Sequence, residues 1–368
     1  MPFEELSKMD VVRQMVLKVV VGQISVSEAA REYGVSRNTV RFWLKRSLEV
    51  PLEEISELSR RPLRIWRTTP EEVHLRILEL KAKKPAWGAK KIVASLWPED
   101  PPVCVRTADR ILKRHGLVKP RNGSEPVQRF ERERPNELWQ MDFKGLGRPY
   151  LGYSPFSTLD DMSRYGLGLK PLPDHRSASI FEALWDLFGE YGMPEAILSD
   201  NESCFADIAR KGPSWLESRL WLLGIRTLHG RPYHPQTQGK IERFHRTLED
   251  EYADKLRHRD IAEAERAYKG CLYEYNFERP HESLGMKRPA QVYTPSARKR
   301  PAKLPEHQIP EGAASRKVDA AGKFSFGGLA YRTSSGLTGQ RVVIQEDEEG
   351  LSVLFAGRKF ARLEDLKL

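Results

Sequence analysis

In the stretch NELWQMDFKG, Trp139, Met141 and Phe143 alternate with Gln140, Asp142 and Lys144. Alternation with period two marks a strand with one apolar face, and it turns Asp142 to the opposite side. A carboxylate in mid-strand calls for a structural hydrogen bond, a salt bridge or a cation. In PEAILSDNESCF a short apolar run ends at Asp200, followed by Asn201. Strand ends of this kind are where α/β proteins place ligand groups, although an Asp-Asn pair equally suits a turn. In RPYHPQTQGKIERFHRTLEDEY, Pro235 sits just before a long helix. Its stripe of Ile241, Phe244, Leu248 and Tyr252 should pack on a sheet, with Glu242 at the edge of that stripe. Arg246 and Gln238 share the face of Glu242 at four-residue spacing, so a surface pair with Arg246 is the plain alternative for this acid.

Three separate carboxylates in one α/β segment are hard oxygen ligands of the type that suits Mg²⁺ or Mn²⁺. Two such ions about 4 Å apart hold the attacking and leaving oxygens of an in-line displacement at phosphorus. Acids are needed to offset two divalent cations, and cations nearby are needed because the substrate is itself a polyanion. Lys240, Arg243, His245 and Arg246 flank Glu242. His245 is read as a DNA contact in preference to a general base.

The rest of the chain has to position these groups. Its 368 residues suit two to four domains, and 39% hydrophobic content is enough for packed cores. A formal charge of +10 favours a nucleic-acid partner, since Lys and Arg displace condensed counterions from phosphate. Cys104, Cys204 and Cys271 form no CxxC pair and no zinc spacing, which fits a reduced, cytoplasmic setting. The N-terminus lacks the pattern of a signal peptide, and no apolar run approaches the roughly 18 residues of a bilayer span, so no membrane role is expected.

The sequence divides into four pieces. Residues 1–50 carry a short amphipathic helix and then ISVSEAAREYGVSRNTVRFWLKR. Ser25 and Glu28 have capping-box spacing, Gly34 sits at the turn, and Ser36 caps the next helix. This is a helix-turn-helix pattern, whose second helix would bury Val40 and Leu44 and present Arg37, Asn38, Arg41 and Lys45 to DNA. Residues 65–118 read as three more helices, a second helix-turn-helix-like domain with Lys90, Lys91, Arg106 and Arg110 as candidate DNA contacts. A linker at 119–135 leads to an α/β segment at 136–293. A basic, proline-rich linker at 294–315 precedes residues 316–368, where FSFGGLAYR, QRVVIQ, LSVLF and RKFARL suggest a small all-β barrel.

Residues 136–293 resemble the catalytic core of DDE transposases and retroviral integrases, with the closest likeness to insertion-sequence transposases. The resemblance rests on W-x-x-D at Trp139 to Asp142, LSDN from Leu198, HPQTQGKIERFHRTL from His234 and NFERPHESLGMKRPAQVY from Asn276. It implies an RNase H-like fold with Asp142, Asp200 and Glu242 as a metal-binding catalytic triad. It also implies multimers, because two DNA ends must be brought together. The chain departs from the family in the 41 residues between Asp200 and Glu242, a longer stretch than usual, with RKGPSWLESR at 210–219 as the insertion. Glu202 replaces the usual glycine, and Phe143 stands where threonine is common. Asp160 and Asp161 are read as structural, and Asn276, Arg279, Pro280 and His281 as shaping a turn.

The function expected from this resemblance is binding of terminal inverted repeats, metal-dependent DNA cleavage, and transfer of the freed 3′-hydroxyl to target DNA. The alternatives are a catalytically silent, transposase-derived DNA-binding regulator and a nuclease that hydrolyses without joining.

Overall fold

The computed structural model describes residues 7–57, 59, 68–118, 132–145, 152–200, 211–230, 239–258, 260–348 and 350–368. They form two compact units, residues 1–68 and 69–368. Asn201, Glu202, Cys204, His234, Pro235 and Gln238 lie outside the described residues.

The first unit holds α1 (Lys8–Val20), α2 (Val26–Glu32) and α3 (Arg37–Glu49). Local chemistry sets its boundaries. Ser25 and Glu28 close a capping box at the start of α2, and Ser36 accepts the Thr39 N–H at the start of α3. Gly34 adopts φ +64 in the turn between them, a conformation open to glycine at little cost. Met15, Val16, Ala29, Val40 and Trp43 are buried together, with Leu44 packed against them. Arg37, Asn38, Arg41 and Lys45 are exposed on the other side of α3.

The second unit begins with three helices, α4 (Glu71–Lys83), α5 (Ala89–Leu96) and α6 (Val105–Arg114), around a core that includes Ile77, Trp87, Ile92 and Leu112. The α/β segment follows as β1 (Trp139–Phe143), β2 (Ser154–Asp160), β3 (Gly166–Leu172), α7 (Ser177–Tyr191), β4 (Ala196–Ser199), α8 (Trp215–Leu222), β5 (Arg226–His229), α9 (Gly239–Leu256) and α10 (Ile261–Tyr273). The strands make one mixed sheet in the order β3-β2-β1-β4-β5. The first three pair antiparallel, while β1 with β4 and β4 with β5 run parallel. One face packs on α7 and α8 through Trp139, Met141, Leu184, Leu187, Leu216 and Leu220. The other is covered by α9 and α10 through Leu159, Leu169, Phe244, Leu248, Tyr252 and Tyr268. The stripe expected on α9 is buried as expected.

The last strands are β6 (Ala314–Lys317), β7 (Lys323–Phe326), β8 (Leu329–Arg332), β9 (Arg341–Asp347), β10 (Gly350–Phe355) and β11 (Arg358–Arg362). Among the described residues they form a four-stranded antiparallel sheet, β11-β10-β9-β6, beside the β7-β8 hairpin. The C-terminal piece is therefore a β domain, but no closed barrel is formed by these pairings. β6 does not stand out in the sequence, because ASRK has no apolar alternation and becomes a strand by pairing with β9. No described helix is long and apolar enough to cross a membrane.

Candidate active site

Strand β1 separates its two sets of side chains as its alternation requires. Trp139 and Met141 enter the core under α7 and α8. Gln140 and Asp142 face the other way, with Gln140 fully buried and Asp142 partly so. β1 and β4 run parallel with Gln140 paired to Leu198. Asp142 stands two residues further along β1, and Asp200 directly follows the last residue of β4.

The start of α9 is tied to the same strand. The Ile241 N–H donates to Gln140 Oε1 at 3.2 Å, and Gln140 Nε2 donates to Asp161 Oδ1 at 2.8 Å. Lys240 Nζ donates to Asp161 Oδ2 at 2.5 Å. Asp161 also accepts the Arg132 N–H, and Asp160 accepts the backbone N–H groups of Asn136 and Ser163. Both acids are buried in bonds that hold segments together, in keeping with a structural role. Glu242 follows Ile241 in the first turn of α9 and is exposed.

Asp142 has a defined surrounding. Its Oδ1 accepts the Phe143 N–H at 2.8 Å, and its Oδ2 lies 3.7 Å from His245 Nδ1. The other ring nitrogen of His245 bonds Ser157 Oγ at 2.5 Å, and Ser157 donates to the Asp142 carbonyl at 2.9 Å. Burial, and after it the positive charge of Lys144, push the His245 imidazole down to about 4. Burial thus favours the neutral ring, and the 3.7 Å approach to Asp142 is longer than a hydrogen bond.

The donor set fits a hard divalent cation in kind, since all three groups are carboxylates. The trio is not drawn together as a ready cluster. Among the described residues no group of three or more His, Cys, Asp or Glu side chains could hold a metal.

The basic residues separate by packing. Arg106, Arg110, Arg243 and Arg246 are exposed, as is Lys90, which lies 3.6 Å from Glu282. Lys91, the next residue, turns inward against Glu251 with 15% of its side chain exposed. Lys240 and His245 are also turned into the fold, toward Asp161 and Ser157. Glu251 is the centre of a buried network, accepting Trp87 Nε1 at 2.8 Å and Arg279 Nε at 2.9 Å. It joins α5, α9 and the turn after α10. Asn276 brackets Gly166, accepting its N–H and donating to its carbonyl. The NFERPH segment thus shapes the end of the core, as its sequence suggested.

Sequence reasoning missed two features. Gln140 was detectable in principle, because it shares the buried polar face of Asp142 at two-residue spacing. The other is a pair formed by Glu217 on α8 and His229 on β5, with His229 Nε2 2.8 Å from Glu217 Oε1. Its partners are close only in the folded chain.

Residues 132–235 and residues 223–289 match the integrase core domain in two overlapping alignments, and residues 15–50 match the helix-turn-helix Psq domain. The Gag-Pol polyprotein of bovine immunodeficiency virus is 28% identical over 188 residues, 51% of this chain and 10% of that polyprotein. That of baboon endogenous virus is 26% identical over 126 residues, 33% of this chain and 7% of the polyprotein. The chain therefore spans only a small part of these curated relatives. Among solved structures, the catalytic core domain of BIV integrase is 25% identical, with 43% of this chain and 93% of that chain covered and a TM-score of 0.34. The HTLV-2 integrase catalytic core domain in complex with magnesium is 16% identical, with 43% and 97% covered and a TM-score of 0.34.

Fold and site define a helix-turn-helix protein joined to a mixed α/β core. Residues 132–289 carry the match to the integrase core domain and residues 15–50 that to the helix-turn-helix domain, a combination consistent with a DDE transposase or integrase.

Proposed function

We propose that this protein is an insertion-sequence transposase that binds the terminal inverted repeats of a mobile DNA element, cleaves at their ends and joins them to target DNA. The observation that carries the reading is the parallel pairing of β1 and β4, with Asp142 on β1, Asp200 directly after β4 and a third acid in the first turn of a helix tied to β1. Asp142, Asp200 and Glu242 are the catalytic triad and would hold Mg²⁺ or Mn²⁺, as two ions. When bound, the ions supply an activated water and neutralise charge at the phosphodiester.

The remaining work falls to the chain itself. The Phe143 N–H and the Ser157–His245 pair hold Asp142 in place. Gln140 and Lys240 hold the start of α9, and with it Glu242. Arg243 and Arg246, exposed on the same helix, take backbone phosphates of the end DNA. Helix α3 reads the repeat with Arg37, Asn38, Arg41 and Lys45, assisted by Lys90, Arg106 and Arg110 of the second helical module. Lys91 and His245 serve the fold from their inward positions. The freed 3′-hydroxyl replaces water as the nucleophile, so no covalent protein–DNA link forms. Two ends in one complex require a homo-oligomer on DNA.

The test uses the full chain with a labelled duplex carrying the repeat found beside the gene. In Mg²⁺ the wild type is expected to nick the end and join it to target DNA, whereas Asp142→Asn, Asp200→Asn and Glu242→Gln bind the duplex without cleaving it. Cleavage by Asp142→Asn at the wild-type rate would overturn the assignment. Cleavage without joined product would favour a hydrolysis-only nuclease, and binding without cleavage by the wild type would favour a silent regulator.

A further inference from the structure

The segment from Lys211 through α8 does two things at once. Its first part is the seat of the C-terminal β domain. Ser334 Oγ donates to the Pro213 carbonyl, Thr333 Oγ1 to the Lys211 carbonyl at 3.1 Å, and Ser218 Oγ to the Gly336 carbonyl at 3.1 Å. Gly336 lies directly on the first turn of α8, where a Cβ would come within 2.3 Å of the Ser214 carbonyl carbon and 2.4 Å of the Pro213 oxygen. Trp221 and Leu222, at the other end of α8, pack against the C-terminal core.

The same segment also bonds to strand β5. Glu217 closes a capping box with Ser214 and accepts His229 Nε2 at 2.8 Å and Thr227 Oγ1 at 3.1 Å. Glu217 is almost buried. His229 ends β5 paired to Ser199, the residue before Asp200. Its Nδ1 lies 3.4 Å from Ser199 Oγ. One imidazole thus links a carboxylate on α8 to the residue that precedes the second acid. A ring held at both nitrogens cannot rotate without losing both bonds, which makes it a rigid spacer.

We infer that Glu217 and His229 are positioning residues for Asp200, and that the C-terminal β domain keeps them in place by seating Gly336 on the first turn of α8. The inference rests on the reading of Asp200 as a metal ligand. It gives the C-terminal domain a task inside the same chain.

Mn²⁺ binding to the full chain, followed by the electron paramagnetic resonance of free Mn²⁺, tests this without DNA or turnover. Thermal unfolding is recorded alongside. His229→Gln and Glu217→Gln are each expected to weaken Mn²⁺ binding about 10- to 100-fold, the usual effect of removing an outer-shell partner. Gly336→Ala should weaken it in the same direction. Val353→Ala, which loosens the C-terminal core away from the seat, should lower the melting temperature and leave Mn²⁺ binding unchanged. If Asp200→Asn loses Mn²⁺ while His229→Gln and Glu217→Gln bind it as the wild type does, the positioning role is wrong. If Asp200→Asn itself binds Mn²⁺ as the wild type does, the metal reading fails and the inference falls with it.

Discussion

The side-chain oxygen of Gln140 accepts the backbone N–H of Ile241 at 3.2 Å, so strand β1 holds the first turn of helix α9. The first N–H groups of a helix have no partner within it, and here a buried amide supplies one. The strand that carries Asp142 and the helix turn that carries Glu242 are joined at this point.

Gln140→Ala should therefore be costly although Gln140 is not an acid. It leaves the Ile241 N–H and one Asp161 oxygen without their partner in a buried setting, at about 1–3 kcal/mol for each group. The melting temperature should fall and end cleavage should fall with it. A variant that melts and cleaves as the wild type does would show that the link contributes nothing.

Glu251 should be the most sensitive charged residue of the second unit. Its side chain is 6% exposed, and it serves Trp87, Lys91 and Arg279. Removing its charge leaves Arg279 buried without its counterion, so Glu251→Gln is expected to cost about 3–5 kcal/mol in urea unfolding. The double variant Glu251→Gln with Arg279→Gln should lose less than the sum of the single losses, because the two residues share one interaction. Strict additivity would contradict the network.

Acid should destabilise the protein partly through His281. Burial, then the charges of Arg279, Arg164, Lys91 and Arg243, push this imidazole down to about 3. Unfolding returns it to about 6.5, so between these values the unfolded chain binds the extra proton. Stability from this group is complete above pH 6.5 and is lost as pH falls toward 3. His281→Gln should remove about 1.4 kcal/mol of the stability difference between pH 7.5 and pH 5.5. Unfolding free energies at the two pH values check it, with His245 unchanged in both proteins. Identical pH slopes would rule the effect out.

Helix α3 presents Arg37 and Arg41 on its exposed face, opposite the buried Val40 and Trp43. Arg37→Ala and Arg41→Ala should weaken binding of the end duplex by about 1–3 kcal/mol where the arginine reads a base. Where it meets a phosphate, the salt dependence should become shallower by about one unit. Neither change should alter the melting temperature. Fluorescence anisotropy across a salt series measures both effects, and unchanged affinity in the two variants would remove α3 from the interface.

Features set by neighbours in the chain were legible in the sequence. Ser25 with Glu28, Gly34 and Ser36 mark the helix-turn-helix because caps and turns act over a few residues. The α9 stripe and the β1 alternation are equally local, so the sequence by itself determined which face Asp142 takes and which residues of α9 enter the core. The resemblance carried by the α9 segment suggested Glu242 as a partner for Asp142, which alternation alone had no means to do. The tertiary structure decided the rest. Lys90 and Lys91 are adjacent and alike, yet one is exposed and the other faces Glu251, because only packing against α9 distinguishes them. Gln140 and Leu198 pair because two distant segments meet in one particular register, and the strand pattern of either leaves that register open. Glu217 meets His229 for the same reason: a hydrogen bond between separate elements depends on how the chain folds back, and no local periodicity encodes it.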